Sequence, residues 1–283
     1  MNHEEAQVKA VRYRNTSGEF RIGRLDGDQV VDAGPAGEQG FIPTRAAWTE
    51  LATADGPRTP LGSVTLVHPV VPRKLICIGL NYRDHAEESE LDLPEVPVIF
   101  AKWTTSLIGH GETIVIPREE TRPDYEGEVA VVIGEPVYRA SGAAARAAVG
   151  AYTCFHDVSG RRAQLETPLR QFTYGKSFDT FGPLGPWLVD ADGVDLGALD
   201  IETVVSGDTL QRSNTKNLIF GVEALVEYAS LGTTLEPGDV IATGTPGGVG
   251  DARDPKRYLR EGDVVDITVS GVGTLSNPVT LER

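Results

Sequence analysis

The chain lacks most of the features that would mark a secreted, membrane-spanning or nucleic-acid-binding protein. Of its 283 residues only two are cysteines, Cys77 and Cys154. Both sit in apolar runs without metal-ligand spacing, so two buried thiols in a reducing compartment are expected, not a disulfide. No apolar run is long enough to cross a bilayer. The stretch Met1-Asn2-His3-Glu4-Glu5 is neither basic nor apolar, so no signal peptide is expected and the cytoplasm is the expected location. Positive charge is scarce. Twenty-six Lys and Arg stand against 41 Asp and Glu, for a net charge of −15. Such a surface repels a phosphate backbone, which sets nucleic acid aside as a partner.

What is abundant is turn-forming residues, with 32 Gly and 18 Pro. They favour a chain of short strands. Alternation over 8–13, 20–25 and 29–32, with Gly18 and Gly27 between, predicts a small meander. A weak helix follows at 45–51, and 67–72 reads as a linker. This gives an expected N-terminal β-meander domain over 1–68 and a larger domain over 69–283. Further strands are expected at 74–80, 97–103, 113–117, 129–134, 150–155, 187–189, 201–205, 209–212, 240–243 and 264–269. Helices are expected at 140–149, begun by Ser141, and at 214–230, capped by Asn214 or Thr215. A short polar helix capped by Asn81 or Asp84 is expected to carry His85 and Glu88 on one face.

The chemistry concentrates at Asp124-Tyr125-Glu126-Gly127-Glu128-Val129-Ala130-Val131-Val132-Ile133-Gly134. Side chains alternate along a strand, so Glu126 and Glu128 share a face at the mouth of an apolar run. Two adjacent carboxylates there repel each other and are costly to desolvate, and a cation relieves both costs. Asp157, after the apolar run 150–155, supplies a third carboxylate. An all-oxygen set selects Mg²⁺, Mn²⁺ or Ca²⁺ over zinc and leaves room for a bidentate oxo acid. His85, oriented by Glu88, is the candidate base for a water. Lys176, expected in a turn-rich loop, and Arg161 with Gln164 offer donors for substrate oxygens. Lys102, Arg161, Arg162 and Lys176 together form a local basic cluster that overrides the acidic surface at short range.

The Gly-rich loop 244–250 lacks Gly-Lys-Ser/Thr and has no apolar helix behind it, so neither a P-loop nor a dinucleotide fingerprint fits. A loop that brings its backbone and Thr245 close to a small ligand does fit.

Taken together, several motifs resemble the fumarylacetoacetate hydrolase family. They are Gly79-Leu80-Asn81-Tyr82 with His85 and Glu88, Tyr125 to Gly134, Asp157-Val158-Ser159 with Arg161 and Gln164, Gly175-Lys176-Ser177-Phe178-Asp179, and Leu235 to Pro246. The likeness spans Val67 to Val279. It implies a mainly β (α+β) fold with a mixed β-sandwich roll core, and a homodimer. It implies Mg²⁺ or Mn²⁺ held by Glu126, Glu128 and Asp157, a His85–Glu88 pair that activates water on a lid, and substrate placed by Lys176, Thr245, Arg161 and Gln164. One departure is Arg162, where the family carries an acid. Either it adds a cation for an acidic substrate or it disturbs the hold on Arg161. The activity expected is metal-dependent hydrolysis of a C–C bond in an acylpyruvate-like or 2,4-dioxo acid. The alternatives are isomerisation of a 2-hydroxymuconate-type diacid, decarboxylation of a 2-oxo acid, dehydration of a sugar acid, or ligand binding without turnover.

Overall fold

A computed structural model describes residues 7–192, 194, 195 and 197–283. The stretch Met1–Glu5 lies outside the described residues. The strand Gly127–Ile133 stands at the centre. Val129, Val131 and Ile133 pack into one core and Ala130 and Val132 into another, so the strand is buried on both faces. Double burial is why it reads as continuously apolar and not as alternating. It pairs antiparallel with Val149–His156 on one side and with Val240–Ala242 on the other.

A 12-stranded sheet extends from this centre. On one flank Val240–Ala242 runs parallel to Leu75–Gly79, which pairs with the end strand Val98–Ala101. On the other flank Val149–His156 pairs with Gly182–Asp190, which pairs with Lys9–Arg14. The meander Lys9–Arg14, Phe20–Asp26 and Gln29–Pro35 is thereby hydrogen-bonded into the same sheet. A five-stranded sheet of Asp208–Asn214, Asp200–Val205, Val264–Val269, Gly273–Leu281 and Ile114–Ile116 lies across one face. Its Ile201, Val265, Ile267 and Leu275 share a core with Val129 and Val131. The result is a mainly β, two-layered α+β fold, as the sequence implies.

The N-terminal segment closes the far end of the central strands. Thr44 caps the helix Arg45–Ala52, its Oγ1 accepting from the Ala47 N–H at 3.2 Å. Trp48 on that helix donates its indole N–H to the Gly150 carbonyl at 2.8 Å. A Cβ at Gly150 would lie 2.2 Å from the Pro43 carbonyl, so this approach requires glycine. Cys77 and Cys154 are free and buried.

Four local expectations differ. The alanine-rich helix is only Ala143–Ala147, with Gly142 rather than Ser141 at its N-cap. The expected helix over 214–230 is split into a 3₁₀ turn, Thr215–Asn217, and a helix, Val222–Ser230. Asn81 causes the break, because its carbonyl and side-chain oxygens accept the N–H groups of Ile219 and Phe220 at 2.8 and 2.9 Å. Asn81 therefore caps no helix. The helix Arg83–Glu88 starts after Tyr82 without a side-chain cap. Lys176 ends a short helix, Phe172–Lys176, and is not in a loop. No helix of the described residues is long and apolar enough to cross a membrane.

Candidate active site

Strand register assembles the carboxylates. Gly127 faces His156 and Glu128 faces Phe155, and the Asp157 N–H donates to the Glu126 carbonyl at 2.9 Å. Glu126, Glu128 and Asp157 thus arrive at one end of the sheet. One ligand oxygen from each lies within 4.8 Å of the others, and the three residues are 5%, 1% and 0% exposed.

Three cations surround them. Lys176 donates to Glu126 Oε2 at 2.7 Å, to Asp157 Oδ2 at 2.6 Å and to Ser159 Oγ at 2.7 Å. Arg161 donates through one arm to Glu126 Oε1 at 2.6 Å, through Nε to Asp124 Oδ2 at 2.9 Å, and to Gln164 Oε1 at 3.0 Å. Lys102 donates to Asp157 Oδ1 at 2.6 Å and to the carbonyls of Val158 and Phe181 at 3.1 and 2.8 Å. An ammonium has three donors, so Lys102 has none left for a substrate. Its place is behind Asp157, as an anchor.

The surroundings split the carboxylates electrostatically. Burial alone would raise Glu126, but Lys176 and Arg161 outweigh it and hold the carboxyl well below the usual range. Burial, reinforced by the charges of Asp157 and Glu126, pushes Glu128 well above it. Lys176, desolvated but facing Asp157 and Glu126, is pushed up to about 12. Behind the strand end, burial and then Lys102 drive His156 down to about 3, so this histidine stays neutral.

His85 and Glu88 share a face of Arg83–Glu88, with Nδ1 3.6 Å from Glu88 Oε2. That separation suits an ion pair and is too long for a hydrogen bond. Glu88 is held by the Gly248 N–H at 2.8 Å, and Asp84 by the Gly247 N–H at 3.3 Å and by Ser213. The Gly-rich loop therefore grips the helix that bears His85. Thr245 is buried. Its hydroxyl donates to the Gly127 carbonyl at 2.9 Å and accepts from Gln211 Nε2 at 2.8 Å. Arg162 turns outward. Its guanidinium meets the Glu119 carbonyl and lies 3.7 Å from Glu166. It neither adds a cation to the site nor touches the hold on Arg161.

Sequence reasoning missed Asp124, Ser159 and Gln211. Asp124 is fully buried, accepts from the Gly250 and Asp251 N–H groups at 2.7 and 3.0 Å, and braces Arg161. Its partners lie far along the chain, and only its place beside Tyr125-Glu126 hinted at a role.

The donor set fits a hard divalent cation. It is three buried carboxylates with no nitrogen or sulfur among them, and burial together with mutual repulsion already lifts Glu128. Residues 74–280 match the family described as fumarylacetoacetate (FAA) hydrolase C-terminal. The chain is 44% identical over 219 residues to a mitochondrial oxaloacetate tautomerase of Xenopus laevis, covering 77% of this chain and 69% of that protein. It is 44% identical over 220 residues to the oxaloacetate tautomerase YisK of Bacillus subtilis, covering 75% and 72%. Its fold matches the crystal structure of 2-hydroxyhepta-2,4-diene-1,7-dioate isomerase from Mycobacterium marinum with a TM-score of 0.79 and 33% identity, over 97% of this chain and 99% of that one.

Proposed function

Since the chain belongs to the fumarylacetoacetate hydrolase family of enzymes, we propose that it is a divalent-metal-dependent isomerase of small 2-oxo diacids. Its reaction would be the keto–enol tautomerisation of an oxaloacetate-type substrate or the related proton shift in a 2-hydroxymuconate-type diacid. The relatives named for these two reactions support the reading over hydrolysis. Both reactions move a proton between carbon and oxygen along an enolisable 2-oxo acid. The observation that carries the proposal is the pairing of the Glu126, Glu128 and Asp157 triad with Lys176 and Arg161.

Mg²⁺ or Mn²⁺ held by the triad would polarise the 2-oxo group and favour its enolate as a Lewis acid. Lys176 bonds the same two carboxylates that such a cation would take. Were those carboxylates given to a cation, the two N–H groups they now hold would be free for a substrate carboxylate or enolate oxygen, with the third still on Ser159. Arg161, braced by Asp124 and Gln164, offers a fixed planar donor to the second carboxylate of a diacid. His85 stands beside the site as the base that removes and returns the proton. The Gly247–Gly248 grip on Asp84 and Glu88 would hold the helix that bears His85 in place while this happens.

The test follows the decay of enol-oxaloacetate absorbance with Mn²⁺, and in parallel that of acetylpyruvate. Chelator-sensitive loss of enol without release of carboxylic acid, abolished in Glu126→Ala, is the expected result. Release of pyruvate and acetate from acetylpyruvate would return the reading to C–C hydrolysis. The intact His85–Glu88 pair favours that second reading. A homodimer belongs to the same proposal. The end strand Val98–Ala101 of the large sheet exposes Val98 and Ile99 at 45% and 44%, and Trp103, just after it, is also exposed. Size measurement by light scattering tests it.

A further inference from the structure

Gln211 lies on the second sheet, in the strand Asp208–Asn214, and nothing in its sequence context marks it. Yet it is 1% exposed and makes three side-chain hydrogen bonds at the site. Its Oε1 accepts the Gly127 N–H at 2.9 Å. Its Nε2 donates to Thr245 Oγ1 at 2.8 Å and to the Pro246 carbonyl at 2.9 Å. An N–H can only donate and a carbonyl can only accept, so Gly127 and Pro246 fix which way the amide points. The Thr245 hydroxyl closes the ring by donating to the Gly127 carbonyl at 2.9 Å.

Gly127 is the residue between Glu126 and Glu128. Both of its backbone polar groups are therefore set from outside its own strand. A Cβ there would lie 2.1 Å from Thr203 Oγ1, so the peptide has no slack on its open side. The adjacent Gly244 N–H holds Glu128 Oε2 at 2.9 Å. We infer that Gln211 is a positioning residue. It locks the Glu126–Gly127–Glu128 backbone to the Thr245 loop, so that the two carboxylates keep the separation a divalent cation needs. The same ring fixes the polarity of Thr245. Its proton goes to Gly127 and one lone pair goes to Gln211, which leaves it able only to accept. The partner it can take is a donor, namely a substrate enol hydroxyl or a water, and not a substrate carboxylate.

The inference rests on reading Glu126, Glu128 and Asp157 as metal ligands, so the test separates the two. Wild type, Gln211→Glu, Thr245→Ser and Thr245→Val are titrated with Mn²⁺ by calorimetry, and each is melted in chelator. Gln211→Glu keeps the size and the acceptor for Gly127 but loses both donors. It should bind Mn²⁺ about 10–100-fold more weakly, the usual effect of removing a group that orients a ligand. Thr245→Ser should keep wild-type affinity, and Thr245→Val should lose affinity as Gln211→Glu does. In chelator, Thr245→Ser should melt within a few degrees of wild type, while Gln211→Glu and Thr245→Val, which leave buried polar groups unpaired, should melt lower but in a single cooperative transition, so that their Mn²⁺ affinity is read on a folded chain. Mn²⁺ binding by Gln211→Glu within twofold of wild type overturns the positioning role and leaves the metal site standing. No Mn²⁺ binding by wild type overturns the metal site and the inference with it.

Discussion

Replacing Lys176 with methionine removes one charge from the centre of the site while leaving most of the side chain's volume. Lys176 lies 2.7 Å from Glu126 Oε2 and 2.6 Å from Asp157 Oδ2, and its side chain is 3% exposed. Breaking a buried pair by removing one partner costs about 3–5 kcal/mol. At roughly 2–4 °C per kcal/mol, the chelated variant should melt about 6–20 °C below wild type. Mn²⁺ should then raise the variant's melting temperature by more than it raises wild type's, because the ion no longer competes with an ammonium for the same oxygens. The pH window follows from both partners. Glu126 is held below its ordinary 4.5, so its share is fully present above that value and fades as pH falls through the depressed folded value. Lys176 is raised from 10.5 to about 12, so its share is present below 10.5 and fades as pH rises through about 12. Within that range the gap should stay flat. Differential scanning fluorimetry with and without Mn²⁺ at several pH values reads all of this. A chelated variant melting within about 2 °C of wild type, at most about one kcal/mol on this scale, would refute the reasoning.

Three further outcomes are expected. Glu128→Gln removes a charge that burial and two neighbouring carboxylates already disfavour. The chelated variant should therefore melt no lower than wild type, while Mn²⁺ affinity measured by calorimetry falls at least about tenfold, or 1.4 kcal/mol. Gly127→Ala puts a Cβ 2.1 Å from Thr203 Oγ1. It should cost about 1–3 kcal/mol in urea unfolding, with much of that recovered in Gly127→Ala/Thr203→Ala. Arg162→Ala, on an outward-facing side chain, should change stability by less than about 0.5 kcal/mol and leave turnover unchanged.

The legible part of the site was the part written in local spacing. Glu126 and Glu128 declare a shared face because a strand alternates, and Asp157 declares itself by ending an apolar run. The strands of the meander and of the central pair were likewise readable from period and turn residues. What one sequence could not show was where a donor spends its hydrogens. Lys102 looks free on the page, but its ammonium is saturated by Asp157 and two carbonyls. Gln211 looks like an ordinary strand residue, but its partners Gly127 and Thr245 lie 84 and 34 positions away. The helix at 214–230 carried a good apolar stripe, yet Asn81, 139 residues from Phe220, draws its first turns out of line. Tertiary hydrogen bonds override local propensity wherever a buried side chain offers better partners.

The strand Val240–Ala242 has a consequence for the order of folding. It fills the gap between Gly127–Ile133 and Leu75–Gly79, pairing with both. The strands Gly127–Ile133 and Val149–His156, joined through residues 134–148, are close in sequence and can pair early, but the sheet stays in two pieces until residues near 240 have been synthesised. Until then the buried edges of Leu75–Gly79 and Gly127–Ile133 stand unpaired, and such edges invite association with other chains. The carboxylates and the Gly-rich loop meet only when this wedge enters. The site is thus among the last features of the molecule to form, and a ribosome stalled shortly before that strand would hold a chain with no active centre and without Val265, Ile267 and Leu275 to complete the core.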